Sequence, residues 1–200
     1  MERKKYSARA VKLSFWFMEF RKFLELLNEG KSFEEIRHIN GTNNIFGAPT
    51  TGRANQIYTT ISARIKSLPS SFYPLFLNSD VATQKLYVLV SIMAHDTLFF
   101  DFVYEVVREK MIIGINELSD SDINVFFKDK QMQDENVAKW TDMTLTRLGR
   151  CYKTMLFEAG IIGKEKNIRV IHPPILDIVF ENWLQDNGFG LMIKALTGVR

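Results

Sequence analysis

The sequence predicts a compact, mainly α-helical protein with one short β-hairpin near residues 161–172. Three observations predict it. Apolar side chains recur every three or four residues along most of the 200-residue chain, which puts them on one face of a helix. Helix-start residues such as Ser32, Ser119 and Thr141, and stops such as Gly30, Gly160 and Gly188, bracket those runs. Only 161–171 turns to the alternation of paired strands, and it ends at Pro173 and Pro174, which cannot donate to a ladder.

In chain order, a first helix is expected from about Phe15 to Asn28, stopped by Gly30. Ser32 and Glu35 form a capping box for a short second helix that breaks at Asn40-Gly41. A loop leads to a third helix in TGRANQIYTTISARIKSL, with Ala54, Ile57, Tyr58, Ile61, Ile65 and Leu68 on its buried face. Asn55, Gln56, Thr59, Thr60, Ala63 and Lys66 lie opposite, and Arg53 and Arg64 lie on the flank. Pro69 and Pro74 bracket a connector. Residues 81–113 read as two strongly apolar helices. Ser119 caps a helix through Lys130, with Asp120 and Asp122 near its positive end. A short helix at 134–139 leads into Thr141, and a last helix after the prolines stops at Gly188.

The segment from Thr141 to Pro174 is the most directive. Leu145, Leu148, Tyr152, Met155, Leu156 and Ala159 share one helix face, while Met143, Arg147, Arg150, Thr154 and Glu158 occupy the other. Gly160 then stops the helix, and a basic hairpin with Lys164 and Lys166 at its turn follows. Helix, stop and basic hairpin in that order end a winged helix-turn-helix. The first seventy residues offer a second helix-turn-helix-like unit, with a turn longer than the usual three or four residues. The expected division is an N-terminal helical unit at 1–70 and a C-terminal unit at 71–200, whose winged segment is 119–172.

Composition narrows the function. With 46% hydrophobic and 24% charged residues, the chain has material for a core and is not a disordered polymer. The single cysteine, Cys151, excludes an intrachain disulfide framework and a multi-cysteine zinc site, and suits a reducing cytoplasm. The apolar run LYVLVSIMA is far below the roughly 20 residues a bilayer requires. At the N-terminus Glu19, Arg21 and Lys22 interrupt what a signal peptide would keep apolar. A cytoplasmic protein without membrane association is expected. His38, His95 and His172 have no partner at metal-ligand spacing, and no phosphate-binding loop, G-x-G-x-x-G or G-x-S-x-G occurs. No catalytic centre, metal, cofactor or small-molecule substrate is expected.

The net charge of +3 is unevenly spread. Residues 1–22 carry +5, residues 50–68 carry +3, residues 141–172 carry +3, and residues 95–140 carry −5. Basic segments beside an acidic one suit a protein with one face turned to a polyanion. The expected partner is double-stranded DNA. Thr144, Arg147, Arg150 and Thr154 are expected forward on the helix, with Lys164, Lys166 and Arg169 on the wing. Arg53, Gln56, Arg64 and Lys66, and the N-terminal Arg3, Lys4 and Lys5, are expected to extend the footprint. The same features leave open a protein-interaction adaptor and an RNA-binding helical module.

Four stretches, in order, carry a family resemblance: GRANQIYTTISARIKSL at 52–68, FVYEVVREK at 102–110, LSDSDINVFFKDK at 118–130 and WTDMTLTRLGRCYKTMLFEAGII at 140–162. Together they resemble the BrxA-type proteins of bacteriophage exclusion (BREX) systems, over roughly Tyr6 to Trp183. The resemblance implies a small helical cytoplasmic accessory protein of an antiphage system that binds double-stranded DNA and has no catalytic centre of its own. It also implies that other proteins of the system, which pairs a methyltransferase and ATPases with smaller factors, are partners. No set of site residues comes with it. A membrane association sometimes attached to the family disagrees with the hydropathy of this sequence.

Overall fold

The computed structural model describes residues 3–166 and 168–199. Its helices are α1 (Phe17–Asn28), α2 (Phe33–Asn43), α3 (Thr51–Ile65), α4 (Phe72–Asn78), α5 (Val81–His95), α6 (Thr97–Phe102), α7 (Arg108–Ile112), α8 (Asp120–Gln133), α9 (Glu135–Ala138), α10 (Asp142–Glu158), α11 (Ile178–Asp186) and α12 (Gly190–Thr197). Two short strands, β1 (Glu117–Ser119) and β2 (Ile168–Val170), make a small antiparallel sheet. A 3₁₀ turn at Ala8–Lys12 precedes α1, and a π-helical stretch at Val103–Val107 joins α6 to α7.

Side-chain caps set most of the helix starts. Ser32 and Glu35 form the expected capping box on α2, and Ser119 with Asp122 forms another on α8. Thr50, Asp80, Asp96, Thr141 and Asp177 each accept from a backbone N–H of the first turn they precede. The predicted break at Asn40-Gly41 does not occur. Asn40 is buried and its side-chain amide donates to the Ala54 carbonyl at 3.1 Å, tying α2 to α3. That tertiary bond offsets the roughly 1 kcal/mol cost of a helical glycine, so α2 continues to Asn43. Asn44 then takes the left-handed position (φ 47°) that ends the helix. The supposed connector contains α4, with Pro74 in its first turn, where a missing N–H costs nothing. Beyond Gly188 the chain forms α12, which the sequence reading omitted. Phe189 stacks on Trp183 at 5.8 Å, and Met192, Ala195 and Leu196 are buried.

The hairpin also differs from expectation. The 161–162 stretch contributes one bridge, Ile162 to Ile171, flanked by hydrogen bonds from Gly163 N to Val170 O and from His172 N to Ile161 O, both 2.8 Å. The other partner of β2 is β1, in the register Glu117–Val170, Leu118–Arg169 and Ser119–Ile168. A three-residue strand between two helices has too few residues to display an alternation, which is why β1 was not anticipated.

The core is one connected cluster from Ala10 to Leu196. Helix α5 lies at its centre: every residue from Leu86 to Ala94 is buried, as an all-round apolar helix requires. No single helix among the described residues is long and apolar enough to cross a membrane, and α5 meets the following helical stretch at a bend of 113°. Tyr152 on α10 packs among Phe99, Phe102 and Phe127 at centroid distances of 4.8, 5.4 and 5.8 Å. Gly149 lets α8 approach α10 closely, since a Cβ there would lie 2.9 Å from a methyl of Ile123. The buried face of α10 therefore fixes its opposite face toward solvent.

Candidate nucleic-acid interface

The solvent face of α10 carries Arg147, Arg150 and Thr154, all exposed. Neither arginine makes an ion pair or side-chain hydrogen bond among the described residues, so both charges remain available. Thr144 is half-buried, and its hydroxyl lies 3.1 Å from that of the cap residue Thr141. Thr154 donates its hydroxyl proton to the Arg150 carbonyl at 3.0 Å, which in this rotamer leaves it only acceptor lone pairs.

Beside α10, residues 163–166 bring up Lys164 and Lys166, both exposed. Arg169 on β2 is half-buried and donates to the Gly163 carbonyl at 3.1 Å, closing the base of the loop. Arg150, Lys153, Thr154, Lys164 and Arg169 line one groove of about 340 Å³. Lys153, absent from the sequence-based set, is held by an ion pair with Asp120 at the start of α8. Its position three residues after Arg150 was the signal that could have found it.

A second groove, of about 360 Å³, continues from the first. Arg150 and Thr154 line both, and across from them stand Lys12 and Arg53. Arg53 is half-buried: its Nη1 donates to the Lys12 carbonyl at 3.3 Å and to Gln56 Oε1 at 2.7 Å. Gln56 also donates to the Lys12 carbonyl, at 3.4 Å, so it braces Arg53 rather than reaching outward. Glu158 is the one carboxylate lining the two grooves among the described residues. Burial holds its carboxyl above the usual range.

The remaining expected contacts go elsewhere. Arg64, placed on a helix flank by periodicity, is 1% exposed and donates to the carbonyls of Ser14 and Phe15, each at 3.0 Å. Burial pulls its guanidinium down to about 10, still charged at neutral pH. It is an internal brace and has no path to a ligand as folded. Arg3 chelates Asp101 at 2.7 and 3.1 Å, where the Tyr6 hydroxyl also donates at 2.7 Å. The backbone N–H of Lys4 donates to Thr97, and its ammonium donates to the His95 carbonyl at 3.4 Å. Lys5 is exposed and lines, with Lys4, a broad cleft of about 1060 Å³ that neither groove includes. Lys66 is exposed with its ammonium 4.4 Å from the Phe33 ring centre, outside both grooves. Among the described residues, no three His, Cys, Asp or Glu side chains gather to hold a metal ion.

A profile of the BrxA family matches residues 4–188. The chain is 37% identical over 182 residues to a BREX protein BrxA of Bacillus cereus (strain H3081.97), covering 91% of each. It is 22% identical over 178 residues, or 89% of each chain, to a BREX protein BrxA of Paramagnetospirillum magneticum (strain ATCC 700264 / AMB-1). The fold is similar to a crystal structure of an uncharacterized protein from Magnetospirillum magneticum, with a TM-score of 0.83 and 20% identity over 98% of this chain and 100% of that one. The length of the profile match and the 37% identity carry the assignment: the chain belongs to the BrxA family of bacteriophage-exclusion (BREX) systems.

Proposed function

We propose that the protein is a non-catalytic, double-stranded DNA-binding accessory factor of its BREX system, with weak sequence preference. In this reading α8 and α10 are the two helices of a winged helix-turn-helix, and the wing carries Lys164, Lys166 and Arg169. The order of elements supports it: a helix ending at Ile112, then β1, α8, the single turn of α9, α10, the Ile162–Ile171 bridge and β2 back on β1. The N-terminal unit within 1–70 contributes Arg53 from α3.

The observation that carries the proposal is the row of unpaired cations along two joined grooves. Arg53, Arg150 and Lys164 have no ion pair among the described residues, and Arg147 and Lys166 flank them. Such contacts position a protein on phosphates more than they read bases. If about six phosphates are met, log affinity falls with log salt at a slope of about −5.

The test is titration against a random-sequence duplex at several salt concentrations. The expected result is tight binding at low salt and a steep salt slope. Arg147→Ala with Arg150→Ala flattens that slope by roughly two units. No binding at low salt overturns the proposal for the isolated chain.

An adaptor role has its own supporting observation. Ile175 is 98% exposed, and Ile178 and Val179 nearby are also exposed, on a side of the chain that lines neither groove. Exposed apolar clusters of this kind mark protein contacts. Nuclease-resistant co-purification with another protein of the system, lost on Ile175→Asp, is the result that favours it.

A further inference from the structure

Trp16 is the one bulky residue among those described that holds a left-handed backbone conformation, at φ 56° and ψ 51°. Large side chains rarely adopt that region, and they persist there only where surrounding contacts over-determine them. Trp16 is buried in the core, and two arginines pack against it. Buried Arg64 grips the carbonyls of Ser14 and Phe15, the two residues before Trp16, and its guanidinium carbon lies 5.7 Å from the indole centre. The Arg53 guanidinium lies against the same indole, at 4.9 Å.

The hydrogen bonds of Arg53 leave it chemically open in a particular direction. The indole contact accompanies these bonds, and a guanidinium has five N–H donors to distribute. Nη1 is spent on Gln56 and the Lys12 carbonyl. Nε and Nη2 have no partner among the described residues. Those two nitrogens form the fork that matches two oxygens of a phosphate. Arg53 lines the same groove as Arg150 of α10.

We propose that Trp16 is a positioning residue that holds Arg53 as a bidentate phosphate clamp opposite α10. This rests on the DNA-binding reading above. The indole and Gln56 fix the guanidinium plane, and Arg64 fixes the backbone that supports the indole. A lysine at position 53 would retain the charge and lose both the plane and the fork.

The experiment uses the full chain and a random-sequence duplex across a salt series. Arg53→Ala is expected to lower the salt slope by about one unit and to weaken binding roughly tenfold. Arg53→Lys keeps the parent slope, since charge is retained, yet binds several-fold more weakly. Trp16→Leu behaves like Arg53→Lys in the parent and adds nothing in an Arg53→Ala background. Equal effects of Trp16→Leu in both backgrounds would overturn the positioning role, as would full parent affinity in Arg53→Lys. Should Trp16→Leu fail to fold, Trp16→Phe and the two Arg53 variants decide the matter by the same comparison. If the parent binds no DNA, the broader reading fails at the first titration. If only Arg147 and Arg150 move the slope, this inference alone fails.

Discussion

The N-terminal arm and the α10 face are both basic, and they use their charge in opposite ways. In the arm (Arg3–Lys5), Arg3 is committed to Asp101 and the Lys4 ammonium to the His95 carbonyl, with Lys5 exposed, while the buried Arg64 holds the carbonyls of Ser14 and Phe15. On α10, Arg147 and Arg150 point to solvent with no partner among the described residues. The difference lies in what each segment covers. The arm crosses acidic and carbonyl groups left by other elements, and a buried carboxylate such as Asp101 must be paired. The outer face of α10 covers nothing, because its other face already fills the space between α8 and the core. A basic stretch of sequence is thus a poor guide to a free basic surface.

Three perturbations sharpen that contrast. The largest effect is expected for Arg64→Ala, which strands two carbonyls and removes the support beneath Trp16. A stability loss of roughly 3 kcal/mol or more follows from the cost of orphaned buried groups, read as a shift in urea midpoint. A loss as small as that of Arg147→Ala would show that the Arg64 bonds to Ser14 and Phe15 do not brace the fold.

Arg3→Ala comes next. It takes one partner from the Asp101 carboxylate, which keeps the Tyr6 hydroxyl. The expected cost is about 1–2 kcal/mol, with the DNA salt slope unchanged. A slope flattened by one unit would instead put Arg3 on the duplex.

The smallest effect is a pH dependence at the junction beneath the arm. Burial pushes the Asp96 carboxyl up to about 6. Burial, with Lys4, Arg64 and Arg9 nearby, pulls the His95 imidazole down to about 4. As pH falls from about 6.5 to 4, an unfolded chain protonates this histidine before the folded one does, so stability is lost. Over part of the same window Asp96 takes its proton first in the folded state, which restores stability. The two oppose each other. His95→Gln is therefore expected to gain stability relative to the parent as pH falls through that window, measured by urea unfolding at pH 7.5 and 5. An identical pH profile for both proteins would show that the imidazole is not held neutral by the fold.

Much of this architecture was legible in the chain. The spacing of Leu145, Leu148, Tyr152, Met155 and Leu156 found α10 and its buried face, and Ser32, Ser119 and Thr141 marked three helix starts within a residue. These features are local: a cap needs its own first turn, and an amphipathic stripe needs only 3.6 residues per turn. By the same logic Arg147 and Arg150 were correctly read as exposed, being opposite the stripe.

Tertiary structure decided the rest. Periodicity put Arg64 on a flank, but α3 is covered on that side by the segment before α1, and that contact spans some fifty residues. The strand β1 exists because β2 returns to it from the far side of α10. Asn40-Gly41 stays helical because Asn40 finds Ala54. The joining of Arg53 to Arg150 across one groove likewise depends on how α3 and α10 are brought together. Local propensity is written into neighbouring residues, whereas which charge is spent and which is left free depends on what the fold lays over it, and that is decided only when distant segments meet.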